Sequence, residues 1–422
     1  MEKKISVAVI GCGSRGCRTY GNLFYKSGLY DIVSLCDIDP KKLELFGEKY
    51  GVKKENLFLD EKEFFKCKRA DALILATQDR DHVRQALQAI KLGYDILLEK
   101  PISPVKEELL QLLDATKNST SKIMVCHVLR YAPGFVKIKE LLDMGVIGKL
   151  IRVETIEQVA FWHQAHSFVR GNWQNDQDTS PMIMQKCCHD LDLIQYYVGA
   201  KCEKVYSVGD LSFFRKENQP QGASDRCFDC KYKNSCIYSA ENLYVERFKK
   251  AGCPQCWPYN VVDISVPMTE ESLRNAYKNN GYGQCVFACK NNVVDNQMVD
   301  MYFENGVKVT HVMTAFTSGS GRKMTFHGTI GEISLHDEKD EIRISVYGKE
   351  DKFIKISELC ENDEDKNMGH GGGDAGIYRA FTNLITGKSD KVDTSIEASI
   401  ESHLIAICAE ESRKTGKIVK IR

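Results

Sequence analysis

Apolar positions along the chain fall into two patterns that divide it near residue 150. In the first part, short continuous runs rich in β-branched residues recur: "ISVAVIG" (5–11), "DIVSLCD" (31–37), "ADALILAT" (70–77), "YDILLEK" (94–100) and "SKIMVCH" (121–127). Such runs read as strands buried on both faces. Helical patterns such as "DPKKLELFGEKYG" and "RDHVRQALQAIKLG" separate them, the second closed by Gly93. Strands alternating with helices predict a doubly wound parallel sheet, a Rossmann-type α/β domain over residues 1–127.

Beyond that, strand-like segments neighbour one another: "LIRVETIEQVA", "VYSVGDLSFF", "NQMVDMYFENGVKVTHVMTAF", "RKMTFHGTIGEISLH" and "EIRISVYG". Asn305-Gly306 between two alternating runs signals a hairpin. Residues 375–417 return to a helical pattern before a last short strand, "KIVKI". Residues 128–422 are therefore expected to form an α+β domain with an open, mainly antiparallel sheet. A cysteine-rich insert interrupts it at about 225–258.

Composition narrows the class. Lys+Arg and Asp+Glu both number 58, so no global field recruits nucleic acid or an anionic membrane. No stretch approaches the roughly 20 apolar residues of a membrane span. The start "MEKKISVAVIG" lacks a secretory signal pattern, and a cytoplasmic location is expected. The 17 cysteines are then expected to be reduced thiols or metal ligands.

Candidate chemistry begins after the first strand. "GCGSRG" places Gly11, Gly13 and Gly16 as G-x-G-x-x-G, with Ser14 and Arg15 inside the loop. Glycines there permit a tight turn, approach of a pyrophosphate to the backbone and close helix packing. Asp37 follows Gly16 by 21 residues at the end of the second strand, where a carboxylate binds ribose hydroxyls. That carboxylate repels a 2′-phosphate, so NAD is expected in preference to NADP, although Arg15 weakens the preference.

A second constellation lies on "QKCCHDLDLI" (185–194). Gln185, His189 and Asp192 share one helical face that otherwise reads as buried.

With the glycine loop, "ATQDRDH" (76–82), "LLEKPIS" (97–103), "VLRYAP" (128–133) and "GKLIRVE" (148–154), the chain resembles the Gfo/Idh/MocA (glucose-fructose oxidoreductase / inositol dehydrogenase) family over nearly its whole length. The resemblance implies a cis peptide before Pro101 that turns Lys100 toward the nicotinamide. It places Thr77, His82 and Glu99 beside the cofactor, and Arg130 and Tyr131 beside the substrate. Members resemble D-x-x-x-H-x-x-D on the helix above. His189 then stands as the general base, and Asp192 as its orienting group or a substrate ligand. Gln185 replaces the first carboxylate and cannot take up a proton, which leaves proton handling to His189, Lys100 or Lys186.

Two further stretches suit a carbohydrate. "FWHQAHSFVRGNW" (161–173) gathers His163, His166, Arg170 and Trp173, aromatic faces beside polar donors. "NMGHGGGDAG" (367–376) sets His370 and Asp374 among glycines, with Asp374 also a candidate helix cap. The resemblance implies net NAD-dependent oxidation or reduction of a sugar, sugar derivative or polyol. Part of the superfamily resembles redox-neutral NAD-dependent glycoside hydrolases, and the extra histidines suit that alternative too. A non-catalytic NAD(H)-binding regulator is the reading from another class. The resemblance also implies a homodimer or homotetramer built through the open sheet face, since a broad uncovered face usually finds a partner.

Finally, Cys227-x2-Cys230-x5-Cys236 and Cys253-x2-Cys256 resemble a zinc ribbon, which suggests a structural zinc in an insert expected to lack its own core. Cys202 or Cys285 is an alternative fourth ligand, and an iron–sulfur cluster or free thiols remain alternative readings.

Overall fold

The computed structural model describes residues 4–360 and 369–422. Its first sheet contains β1 (Ile5–Ile10), β2 (Tyr30–Cys36), β3 (Leu57–Phe58), β4 (Ala72–Leu75), β5 (Asp95–Leu98) and β6 (Ile123–Val125). All pairings are parallel, in the order β3-β2-β1-β4-β5-β6. The alternation within β1 explains why the sheet needs cover on both faces. Val7 and Val9 enter one core with Tyr20, Phe24 and Phe46, while Ala8 and Ile10 enter another with Leu73, Leu75 and Ile96. The expected α/β architecture is therefore present, and strand order reverses at β1/β4, where such sheets form their ligand crevice.

The second sheet contains β7 (Leu150–Ala160), β8 (Cys202–Asp210), β9 (Asn296–Phe303), β10 (Lys308–Thr317), β11 (Gly321–Gly328), β12 (Gly331–His336), β13 (Glu341–Val346), β14 (Lys352–Lys355) and β15 (Val419–Lys420). Its order is β14-β13-β12-β11-β7-β10-β9-β8-β15, antiparallel except for the parallel pair β7/β10. The Asn305-Gly306 hairpin forms as expected, with Gly306 at φ +85° and its N–H donated to the Phe303 carbonyl. Three helices matter below: α1 (Cys188–Val198), α2 (Gly373–Ile385) and α3 (Ile396–Thr415). α1 and α3 bury Leu191, Ile194, Leu404 and Ile405 in the same core as Val153, Val299, Met301 and Phe326 of the sheet.

Among the described residues, no helix covers the apolar row on the opposite sheet face. Cross-strand pairing aligns Val208, Met298, Val312 and Ile156 in one apolar row over β8, β9, β10 and β7. Val208, Met298 and Ile156 are exposed.

Two expectations need correction. The segment between β8 and β9 has a core of its own, including Phe214, Leu243, Tyr244, Phe248, Leu273, Tyr277 and Phe287. It closes on Ala165 and Val169 of the 161–170 stretch, so the insert is a packed subdomain rather than a coreless loop. In addition, α2 joins the first sheet's core through Ile377, Phe381 and Leu384 although it lies between β14 and β15 of the second sheet in sequence. Among the described residues no helix is long and apolar enough to cross a membrane.

Candidate active site

The glycine loop follows β1 directly. Gly11 has φ +87°, and a Cβ there would stand 2.2 Å from the Ala76 carbonyl oxygen. A Cβ on Gly16 would stand 1.9 Å from the Gly11 carbonyl oxygen. Those two positions close the turn, whereas a Cβ on Gly13 would meet nothing within 4 Å. The backbone at Gly13 is thus open to a phosphate, and Ser14 opens the helical segment Ser14–Gly21. Asp37 stands beside it, accepting from Cys12 N–H at 2.7 Å and Asp39 N–H at 2.9 Å. A loop with this open backbone and an adjoining carboxylate fits a dinucleotide.

Arg15 turns inward instead of toward a cofactor phosphate. Its Nε donates to Glu99 Oε1 at 2.7 Å, its Nη2 to Asp374 Oδ1 at 2.8 Å, and Nη2 also bonds the Tyr20 hydroxyl. Burial alone would raise the Glu99 carboxyl, but Arg15 and then Lys100 outweigh it and hold the group below its ordinary value. Asp374 is likewise held low against its burial, chiefly by Arg15 and then His370. Asp374 is therefore an ion-pair partner, and it makes no side-chain cap on α2. His370, at φ +58°, places Nδ1 3.2 Å from that carboxylate and remains partly exposed. Asn367 and Met368 of this stretch lie outside the described residues.

The Lys100-Pro101 peptide is cis. Lys100 Nζ donates to the Gln185 backbone carbonyl at 3.2 Å and lies 3.5 Å from its side-chain oxygen. Gln185 in turn donates its amide to Asp79 Oδ1 and Oδ2, at 2.9 and 3.0 Å. Asp79 is 3% exposed, and burial raises its carboxyl above the ordinary value despite His82, Ser180 and Lys100. Sequence reasoning missed Asp79, which sits unremarked in "ATQDRDH". His82 is buried, with Nδ1 2.7 Å from the Pro101 carbonyl and Nε2 3.3 Å from the Thr77 carbonyl. The Thr77 hydroxyl bonds Gln85 at 2.6 Å. His82 thus braces the Pro101 turn and, at 1% exposure, is not presented to a cofactor.

On α1, His189 is 6% exposed and its Nδ1 is buried without a hydrogen-bond partner. Burial, then Lys100 and His370, hold it well below the ordinary imidazole value. Its ring centroid lies 5.8 Å from His370 and 6.1 Å from His127. Asp192 does not orient it. Both Asp192 oxygens accept from Arg130, from Nε and Nη2, each at 2.7 Å, and Arg130 Nη1 donates to the Asp393 carbonyl. Asp192 and Arg130 thereby satisfy each other in the interior, and neither is presented to a substrate. Tyr131 is packed beneath α2, where a Cβ on Gly376 would lie 2.6 Å from its Cβ.

The 161–173 stretch splits similarly. His163 stays near the site: burial, then Lys186, His166 and Lys100, hold it well below its ordinary value. His166 is buried in the insert core, stacked on Tyr282 at 4.9 Å, with Nδ1 3.2 Å from the Tyr244 hydroxyl. Arg170 also points into the insert, and Trp173 packs on the main core beside Phe168. His163 stacks on Trp162 at 5.6 Å and meets Trp257 edge-on at 4.9 Å, the latter contributed by the insert and missed in the sequence. Lys186 is engaged by Glu157 at 2.8 Å.

The two cysteine pairs do not meet as a ribbon. Cys253 and Cys256 are exposed, while Cys227, Cys230 and Cys236 line a separate cavity with Cys285. Cys202 lies elsewhere, bonded to strand carbonyls of the second sheet. Among the described residues one trio of metal-ligating types lies within 4.8 Å, Cys187, Asp190 and His311. Its Asp190 is already neutralised by two bonds from Arg322.

Comparison with known proteins places this geometry in a family. Residues 5–127 match the model of the oxidoreductase family NAD-binding Rossmann fold, and residues 139–421 match its C-terminal alpha/beta domain. A protein named as an oxidoreductase, YteT of Bacillus subtilis (strain 168), is 24% identical over 90% of this chain and 88% of its own. Inositol 2-dehydrogenase of Rubrobacter xylanophilus is 23% identical over 49% of this chain and 56% of its own. Among solved structures, the WlbA dehydrogenase of Bordetella pertussis in complex with NADH and UDP-GlcNAcA superposes with a TM-score of 0.70 at 16% identity, covering 100% of this chain and 98% of that one. The chain belongs to the Gfo/Idh/MocA family of NAD-dependent oxidoreductases.

Proposed function

We propose that the chain transfers hydride between NAD and a hydroxyl-bearing carbon of a sugar, sugar derivative or polyol, with Lys100 and His189 handling the proton. The observation that carries this reading is the pairing of a fixed ammonium with a buried, neutral imidazole. Lys100 is anchored on Gln185, and His189 lies within its electrostatic reach. Gly13 and Asp37 would hold the cofactor, which supplies the hydride acceptor, and Asp37 favours NAD over NADP. Lys100 would stabilise a developing alkoxide. His189, kept neutral by its surroundings, is ready to accept the hydroxyl proton. His370, oriented by Asp374, stands next in line to pass it outward.

The dehydrogenase relatives support a carbohydrate or polyol substrate, and the indoles of Trp162 and Trp257 beside His163 suit an apolar sugar face. The apolar row on the open sheet face supports assembly into a homodimer or homotetramer.

His163 favours a second reading. It is an additional neutral imidazole within reach of Lys100 and Lys186, more proton carriers than one hydride step needs. A redox-neutral glycoside hydrolase would use such a group after C3 oxidation, to remove the C2 proton. Reactions of polyols, inositols and aryl glycosides with NAD in heavy water separate the readings. A dehydrogenase forms NADH in proportion to product and leaves C2 protiated. Deuterium at C2 with catalytic NAD and no accumulating NADH selects hydrolysis. Tight NAD binding without turnover of any of them would favour a regulator instead.

A further inference from the structure

Four thiols from two distant segments share one wall of the insert. Cys227, Cys230 and Cys236 line a cavity of about 20 Å³, and Cys285, from the segment that leads toward β9, completes its thiol lining. Arg170 enters the same cavity from the 161–170 stretch. Only 5% exposed, it donates Nε to the Gln284 carbonyl at 2.6 Å, and Nη2 to the Tyr238 carbonyl at 2.7 Å and Cys227 Sγ at 3.5 Å. Its Nη1 is buried with no hydrogen-bond partner. Among the described residues no carboxylate lies within ion-pair distance of Arg170. A buried guanidinium without a counter-charge costs several kcal/mol, so the arrangement calls for negative charge in the cavity. Neutral thiols do not supply it. Metal-bound thiolates do, because ligation deprotonates cysteine outright.

We propose that Cys227, Cys230, Cys236 and Cys285 are the four ligands of one thiolate-bound metal centre, with Arg170 as its buried counter-charge. The ligand set differs from a zinc ribbon, since it excludes Cys253 and Cys256 and recruits a cysteine beyond both pairs. Four thiolates and no imidazole select zinc or an iron–sulfur cluster over harder cations. A closed zinc shell with bonds of about 2.3 Å sets its sulfurs about 3.8 Å apart. No three of these sulfurs lie within 4.8 Å of one another. Zinc would draw the thiolates inward, whereas a cuboidal iron–sulfur cluster accepts a wider spacing. Either centre would fasten three segments: the insert, the approach to β9, and the stretch that carries His163. This inference is independent of the substrate reading.

The test is metal and acid-labile sulfide analysis of the whole protein, purified anaerobically without added metal, beside Cys227→Ser, Cys285→Ser and Cys253→Ser/Cys256→Ser. The expected result is about one zinc per chain, or iron matched by sulfide. It should be lost equally in the Cys227 and Cys285 variants and kept in the double variant. If the single variants fail to fold, maleimide labelling of the native wild-type chain decides. Cys253 and Cys256 should label at once, and the other four only after a chelator removes the metal. Absence of stoichiometric metal, four thiols that label as fast as Cys256, or metal retained by a folded Cys285→Ser chain would each overturn the proposal.

Discussion

Gln185 donates its side-chain amide to both carboxylate oxygens of Asp79, while its two carbonyl oxygens face the Lys100 ammonium. Gln185 ends a short helix of its own (Met182–Gln185), which breaks before α1 rather than continuing its face, and borrows a carboxylate from the loop after β4. The borrowed group cannot reach Lys100 directly, but it fixes the amide that does. Asp79→Ala should release Gln185 and lower kcat on the order of 10–10², with KM and NAD affinity little changed, as expected for a misplaced catalytic group. Asp79→Asn keeps an acceptor for the amide and should retain most activity. Equal losses in both variants would show that the Asp79 charge matters in its own right.

Lys100→Met and His189→Ala should each lower turnover on the order of 10²–10⁴ while NAD titrations remain close to wild type. Steady-state kinetics on a turned-over substrate, paired with cofactor-binding measurements, check this. Near-normal turnover in both would move the chemistry elsewhere.

Asp37→Ala should weaken NAD and relax discrimination against NADP, because the carboxylate that binds ribose hydroxyls also repels a 2′-phosphate. Wild-type protein that binds NADP more tightly than NAD would refute the assignment.

Acid should weaken the fold well before its carboxylates titrate. Burial, the largest cause in each case, holds His127 at about 4 and His166 and His403 at about 3 in the folded state, against an ordinary 6.5. Between those values the unfolded chain binds protons that the folded chain refuses. Their contribution is therefore full above pH 6.5 and is lost as pH falls, toward 4 for His127 and toward 3 for His166 and His403, at about 1.4 kcal/mol per pH unit for each histidine. Denaturant melts from pH 7.5 to 4.5 measure the slope. His127→Leu, which removes a ring whose nitrogens have no hydrogen-bond partner, should flatten it by one histidine's share.

The row Val208–Met298–Val312–Ile156 should be an interface between copies of this chain. Met298→Asp or Ile156→Asp should shift the sedimenting species toward monomer without loss of secondary structure. A monomeric wild-type chain would remove the premise.

The legible parts of this molecule were those written in contiguous sequence. Both sheets announce themselves because a strand's burial is set by its own residues, and the glycine loop because its turn is local. Lys100 was legible through the Glu-Lys-Pro strand end. Illegible parts depend on what folding brings together. Asp79 and Trp257 are ordinary residues in their own segments and acquire meaning from partners far along the chain. Conversely, Arg130, Asp192, Arg170 and His166 have polar chemistry suited to a site, yet each satisfies a buried neighbour instead. Polar residue type signals that something is bound, and only the fold shows whether that is a substrate or another side chain.

The bonds from Arg15 to Asp374 span 359 positions. Ile377, Phe381 and Leu384 of the same helix complete the core beneath β1. A ribosome releasing this chain would therefore deliver the cofactor loop long before its last supports. The first sheet must wait, with that core face unfinished, until residues 373–385 have emerged. Domains generally fold in the order they are made. Here the domain that begins folding at β1 is closed by a helix about 370 positions later, so a truncation after β14 should leave the nucleotide half soluble only with difficulty.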